Sequence, residues 1–194
     1  MTTDATERVE TSARWRLKQS TDTAHRRLDA GMVGLDLRKR DDYAAFLSLS
    51  AAALVPLEEA IENAASSARP SDWPARRRSG ALLDDLQGVG AQAPDPIGVP
   101  LLDGARAVGA LYVLEGSRLG GQLLRRDAQA SDDEIVRSNM RYLSHGSELS
   151  WRAFTEWLDE VLAVGDELSA AVEGATEAFA TFERALARQL EARE

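Results

Sequence analysis

The sequence predicts an all-α protein with one domain. Apolar residues recur at helical spacing through most of the 194-residue chain, and no segment shows the sustained alternation of a strand. Clusters of proline and glycine divide the chain into helix-length pieces. The length suffices for one sizeable core, which we expect over residues 12–194. Residues 1–11 are polar, and we expect a flexible N-terminus there.

Composition limits the classes of partner. The formal net charge of −9 argues against nucleic acid and anionic lipid. The chain has no cysteine, so disulfides and cysteine-ligated metals are excluded. We expect no membrane-spanning segment, because no apolar run approaches the roughly 20 residues that one requires. The polar N-terminus lacks the apolar core of a signal peptide. We therefore expect a cytoplasmic protein that binds neither nucleic acid nor membrane.

The first half of the chain predicts three helices. The first runs from about Ser12 to Ala30, where Gly31 ends it. The second begins at Asp41 or Asp42 and reaches about Ala65, and Pro56 is expected to kink or divide it. After a turn, the third covers about 75–88.

The second half predicts four more helices after a proline-containing loop: 101–129, 131–142, 148–164 and 166–193. Ser131 and Glu134 have the spacing of a capping box, which predicts the start of the second of these helices. Gly165 is expected to separate the last two.

The helix predicted over 101–129 has an unusual glycine content. Gly109, Gly116, Gly120 and Gly121 lie inside it, and each costs roughly 1 kcal/mol relative to alanine. At about 100° per residue, the first three share one narrow arc. Exposed backbone on that arc allows either a closely packed helix or a planar ligand, and the arc alone does not decide between them.

The first helix has a candidate ligand-binding face. The chain has only two histidines, and His25 lies on this helix, whereas His145 lies in a predicted loop. Lys18 and Arg14, seven and eleven residues before His25, return to its face, and Asp29 lies one turn after it. The Asp29 carboxylate can accept the Nδ1–H of His25 and leave Nε2 free to bind a metal.

By itself this pattern also fits an exposed histidine among solvated charges. Combined with the glycine-containing helix, it supplies what a haem between two helices needs. An imidazole can bind the iron, a glycine backbone can approach the opposite face, and cations can pair with the propionates.

Three motifs resemble the heme oxygenase family in its bacterial form. Leu17–Asp29 resembles the proximal helix of that family, and Leu111–Gly121 resembles its distal helix. Ser144-His145-Gly146, followed by Trp151-Arg152-Ala153-Phe154, is similar to a later stretch of bacterial members. The resemblance extends from about residue 12 to residue 186.

The resemblance implies an all-α fold with haem between the two helices, and it assigns roles to individual residues. His25 would be the axial iron ligand and Asp29 its hydrogen-bond partner. Gly116 and Gly120 would lie over the haem, next to Gly121. Lys18 would contact a propionate, and the spacing argument above extends that role to Arg14.

The activity implied by the resemblance is cleavage of haem to biliverdin, CO and ferrous iron. It uses O2 and electrons from a donor of the ferredoxin or flavin reductase type. Iron release and supply of biliverdin to a phytochrome-type photoreceptor are both compatible purposes. The alternatives are a haem-binding carrier or sensor without turnover, and a scaffold without haem whose glycines only permit close packing.

One position departs from the animal members of the family. They carry an aspartate just after the first distal glycine, where it organises water, whereas this chain has Ser117. We name Tyr112, one turn before Gly116, as the candidate for that function. The alternative for Tyr112 is a packed core aromatic residue.

Overall fold

The computed structural model describes residues 12–163 and 165–192. Within these residues every regular element is a helix, so the predicted all-α class is confirmed. The expected flexible N-terminus, residues 1–11, lies outside the described residues, as do residue 164 and the last two residues.

The described residues form nine α-helices and one short 3₁₀ helix, Ser66–Ala68. The α-helices are α1 (Ala13–Met32), α2 (Arg40–Asn63), α3 (Trp73–Arg76), α4 (Ser79–Gly88), α5 (Gly104–Gln129), α6 (Glu134–Ser138), α7 (Arg141–Ser144), α8 (Trp151–Val161) and α9 (Gly165–Glu191). The long helix α9 packs against α5, α1 and α2, and α2 also contacts α4 and α5.

Helix α2 forms much of the core. Its length and composition would suffice to cross a membrane, which corrects the expectation that no segment is apolar enough. However, 67% of its most apolar window is buried inside the fold. Packing against α4, α5 and α9 therefore accounts for its apolar character.

The prediction that Pro56 divides the second helix is wrong. Helix α2 continues through this residue. A proline inside a helix leaves the carbonyl four residues earlier without its usual donor. Here the oxygen of Ala52 accepts a hydrogen bond from the backbone N–H of Ile97, at 2.8 Å. The loop before α5 thus replaces the missing helical bond.

Other predicted helix boundaries also differ from the structure. Helix α2 begins at Arg40 with Lys39 as its N-cap residue, and not at Asp41 or Asp42. Helix α1 continues through Gly31 to Met32. The helix predicted over 75–88 is two helices, α3 and α4, because Glu58 accepts the backbone N–H groups of Arg78 and Ser79 and starts α4 there.

The helix predicted over 131–142 is also two short helices, α6 and α7. Ser131 does not form the predicted capping box. Its hydroxyl donates to the carbonyl oxygen of Arg38, at 2.5 Å, and accepts from the N–H of Asp133. The Asp133 carboxylate caps α6 instead, through the N–H of Ile135 at 2.9 Å.

Close backbone contact joins α5 to α9. A Cβ placed on Gly109 would overlap the carbonyl group of Ala171, and one on Gly174 would overlap that of Arg106. Neither overlap involves a flexible side chain, so the two helices would have to separate to admit a methyl group. For Gly109, therefore, close helix packing is the correct explanation.

We expect Gly109→Ala to destabilise the fold by about 1–3 kcal/mol, as overpacking a core does, despite alanine's better helix propensity. Chemical unfolding of the haem-free protein would measure this. Gly80→Ala on α4 is the matched control, because a Cβ at Gly80 has no atom within 4 Å. Equal stability of the two variants would contradict the packing argument.

Candidate functional site

A cavity of about 520 Å³ lies between α1 and α5. This volume is in the range of small-molecule sites. Apolar side chains from several helices supply much of the lining: Phe46, Leu49, Val113, Leu124, Phe179 and Phe182. The cavity can therefore take a large, mostly apolar ligand.

The α1 wall of the cavity carries His25. Its Nδ1 lies 3.1 Å from Oδ2 of Asp29, one helical turn later, and its ring meets the ring of Phe179 edge-on at 5.9 Å between centroids. The carboxylate favours the tautomer with hydrogen on Nδ1. The Nε2 lone pair is then available to a ligand in the cavity. The side chain is 61% exposed, so it remains accessible.

The α5 wall carries the glycines. A Cβ on Gly116 or Gly120 would meet no atom within 4 Å, and both residues line the cavity. Gly121 also lines it, and a Cβ there would lie 3.7 Å from the Leu143 side chain. The predicted arc therefore has two uses, because Gly109 permits contact with α9 whereas Gly116 and Gly120 leave space in the cavity.

Two cations and two aromatic rings lie along another part of the lining. Arg14 and Lys18 both line the cavity, and the Arg14 guanidinium lies 5.8 Å from the centre of the Trp151 ring. Tyr112 lies beside Trp151, at 6.2 Å between centroids. Burial raises the pKa of Tyr112 while the Arg14 charge lowers it, with burial the larger effect. Tyr112 is thus a neutral phenol at the cavity wall and is also packed.

Ser117, on the α5 wall, makes two hydrogen bonds through its hydroxyl group. Its hydroxyl donates to the carbonyl oxygen of Leu114 and accepts from Nη2 of Arg78, both at 2.8 Å. Arg78 is buried, lines the cavity and lies over the Tyr142 ring at 5.1 Å. Sequence reasoning missed Arg78. The only signal was the basic run Arg76-Arg77-Arg78, which by itself has no spacing relation to Ser117.

A buried ion-pair network fixes α5 from the side of α3. Glu115 accepts from Arg76 at 2.6 Å and from Arg118 at 2.8 Å. Arg118 also donates to the carbonyl oxygen of Gly146 at 2.6 Å, which holds the loop after α7. His145 lies in that loop, as predicted, with Nε2 3.0 Å from the oxygen of Ala75, and it is not among the residues that line the cavity.

Asp85 holds the backbone of Tyr142, which lines the cavity. This residue of α4 is fully buried, and its Oδ2 accepts the backbone N–H of Tyr142 at 2.7 Å. Its Oδ1 has no hydrogen-bond partner among the described residues. Burial, the largest cause, raises the pKa of this carboxyl group.

A raised pKa in the folded state has a defined effect on stability. The stability that protonated Asp85 contributes to the folded state is fully present below the unfolded-state pKa. It is lost as the pH rises through the folded-state pKa. We therefore expect Asp85→Asn to gain stability relative to the unmodified protein as the pH rises from the unfolded-state pKa of aspartate, about 4, towards neutral pH, since asparagine does not ionise. Unfolding of both proteins across this range measures the difference, and a difference that does not change with pH would contradict the assignment.

These features define an all-helical protein with an apolar cavity, one histidine on one wall and glycine backbone on another. The chain is 30% identical over 151 residues to the heme oxygenase of Xanthomonas campestris, and the match covers 77% of this chain and 91% of that protein. It is 28% identical over 173 residues to heme oxygenase PigA of Pseudomonas aeruginosa, covering 86% and 87%. No family model matches the chain.

The fold comparison agrees. The structure matches that of the NO- and CO-bound heme oxygenase of Neisseria meningitidis with a TM-score of 0.79 and 26% identity, over 92% of both chains. The chain belongs to the heme oxygenase family, whose members are enzymes that degrade haem.

The cavity fits haem as the substrate. Its lining is largely apolar, and its polar groups include one imidazole, four cations, two carboxylates and backbone without side chains. Among the described residues, no group of three or more acidic or histidine side chains could hold a free metal ion. The iron of a bound porphyrin needs only one imidazole from the protein.

Proposed function

We propose that this enzyme cleaves haem oxidatively to biliverdin, CO and ferrous iron, using O2 and electrons from a separate donor of the ferredoxin or flavin reductase type. The observation that carries the proposal is the cavity with His25 on one wall and the open glycines of α5 on another. Family membership supports it, because the relatives are named heme oxygenases.

On the α1 side, His25 is proposed to bind the iron through Nε2. Asp29 holds the Nδ1–H and so orients the ring. Arg14 and Lys18 are proposed to pair with the two propionates. The Trp151 ring lies against the Arg14 guanidinium and limits its rotamers, which reduces the entropy lost on binding.

On the α5 side, the proposed role of the glycines is to leave space for the haem and its diatomic ligand. Bound haem supplies the iron that activates O2 and is itself the molecule cleaved. Gly116 and Gly120 allow the helix backbone to approach the porphyrin face and leave room for a diatomic ligand. They carry no acid or base, so protons must come through water held by other groups. Tyr112 lines the cavity as a protonated phenol and can hold such a water.

The proposal places the enzyme in the cytoplasm, consistent with a chain without cysteines. The net charge of −9 gives no general attraction to nucleic acid or anionic lipid. A phytochrome-type photoreceptor is proposed as one acceptor of the biliverdin, alongside a role in iron release.

The decisive experiment is turnover of purified protein. Titration with hemin is expected to give one haem per chain with a histidine-ligated spectrum. Addition of a reductant in air, with catalase present to remove peroxide, should convert the haem absorbance into a biliverdin band and release CO. A stable O2 complex that only autoxidises would instead show a carrier or sensor, and absence of haem binding would show a scaffold.

A further inference from the structure

The His25 ring has two neighbours that differ in rigidity. The Asp29 carboxylate lies 3.1 Å from Nδ1, and the side chains of His25 and Asp29 are 61% and 58% exposed. Exposed pairs of this kind hold a side chain only weakly. The second neighbour is Phe179 on α9, with the ring centroids 5.9 Å apart and the ring planes at 80°. Phe179 is only 6% exposed and packs in the core, so its ring is the more rigid neighbour.

A hydrogen bond and a ring contact restrain an imidazole in different ways. The bond from Nδ1–H to Asp29 fixes the tautomer and directs one nitrogen, but the ring can still turn about the line that joins the two atoms. A second ring in T-shaped contact restricts that turn, because aromatic pairs prefer certain relative orientations. The hydrogen bond alone therefore leaves the plane of the His25 ring undetermined, and Phe179 is placed to fix it.

The contact of Phe179 with the histidine belongs to a longer contact between α1 and α9. Two residues further along α1, the Nε of Arg27 donates to Oε1 of Glu183 at 2.9 Å. Further still, a Cβ on Gly31 would overlap the Leu186 side chain, so the two helices lie close together there. Successive positions of α1 thus meet successive positions of α9, and this register holds Phe179 beside the iron-ligand position.

We propose that Phe179 is a positioning residue for the iron ligand: its ring sets the plane of the His25 imidazole, while Asp29 sets the tautomer. The inference rests on the proposed function, in which Nε2 of His25 binds the haem iron. The plane of an axial imidazole determines how its π orbitals overlap with the orbitals of the iron. Groups that orient a metal-bound histidine are usually hydrogen-bond partners. Here a hydrocarbon ring orients the ligand without adding charge.

Nuclear magnetic resonance of the haem-free protein tests the contact itself. The chain has two histidines, so the spectrum of His145→Ala assigns the ring signals of each. An aromatic ring displaces the signals of nearby protons, and Phe179→Leu is expected to remove most of that displacement from the His25 ring at a fixed alkaline pH. Phe182→Leu is the matched control, because Phe182 lies on the same helix and lines the same cavity, and its ring is not in contact with the histidine ring among the described residues. Its His25 signals should stay in place.

The ferric cyanide complex of the haem-bound protein tests the consequence for the ligand. Its electron paramagnetic resonance depends on the plane of the axial imidazole, so Phe179→Leu should shift or broaden the g values. Turnover should fall about tenfold, as it does when a group that orients a metal-bound histidine is lost, with hemin affinity within about threefold. Phe179→Tyr keeps the ring and should retain the His25 signals and the g values of the unmodified protein.

If Phe179→Leu does not fold, Phe179→Met decides, since methionine fills irregular space without a ring. Unchanged His25 signals, or unchanged g values, in a folded variant overturn the proposal. Failure of the proposed function looks different. The hemin complex of the unmodified protein would then lack histidine ligation, while the His25 signals of the haem-free variants would still differ.

Discussion

Replacing His25 with alanine is expected to abolish histidine ligation and to reduce biliverdin formation by more than about 100-fold. Loss of a partner that only supports a metal ligand costs about 10–100-fold, and loss of the ligand itself should exceed that. The cavity would still bind haem through its apolar lining and its cations. The electronic spectrum of the hemin complex and the rate of biliverdin formation measure the two effects.

The chain offers a matched control, because its second histidine lies outside the cavity lining. His145→Ala should leave the haem spectrum and turnover unchanged. Added imidazole should restore ligation, and part of the activity, to the His25→Ala protein. An unchanged spectrum in His25→Ala would show that another group binds the iron and would exclude the proposed ligand.

Replacing Gly120 with leucine should separate activity from stability. A side chain there would enter the cavity without meeting protein atoms, so we expect turnover to fall about 100-fold as the space for haem and O2 is filled. The haem-free protein should not be destabilised and can gain up to about 1 kcal/mol, because leucine favours helix more than glycine does. Haem titration, turnover and chemical unfolding give the three quantities.

Gly80→Leu controls for the change of helix propensity. Gly80 also lies in a helix, with open space where its Cβ would be, but it does not line the cavity. Its variant should share the stability gain and keep full turnover. Normal turnover in Gly120→Leu would contradict a haem site on this face of α5, and a large loss of stability would show that the space is needed for packing.

The expected changes in stability have opposite signs for Gly109→Ala and Gly120→Leu, and the reason is structural. A methyl group at Gly109 meets the α9 backbone, whereas a side chain at Gly120 meets only the cavity. The same residue type on the same helix thus supports the fold in one place and leaves space for a ligand in the other. Comparing Gly109→Ala with Gly120→Leu separates these effects within a single helix.

Local sequence rules predicted the helices well where caps and periodicity act within one segment. They failed where a distant residue decided the boundary. Glu58 starts α4 through the backbone of Arg78 and Ser79, and Ile97 satisfies the Ala52 carbonyl that Pro56 leaves without a donor. The Ser131 hydroxyl donates to the carbonyl oxygen of Arg38, which fixes Ser131 ahead of α6, and Asp133 caps that helix instead. Glu58, Ile97 and Arg38 are distant in sequence from the residues they contact, so no local pattern could identify them.

The sequence alone determined the helical class, the haem-related motifs and the i,i+4 pair of His25 and Asp29, because helix periodicity places side chains on a face. The roles predicted for individual cavity residues stay predictions. Only the tertiary structure decided what lies against each face: α9 at Gly109, the cavity at Gly116 and Gly120, and Arg78 at Ser117. Spacing along a helix fixes the direction of a side chain, whereas its neighbours depend on how the whole chain packs.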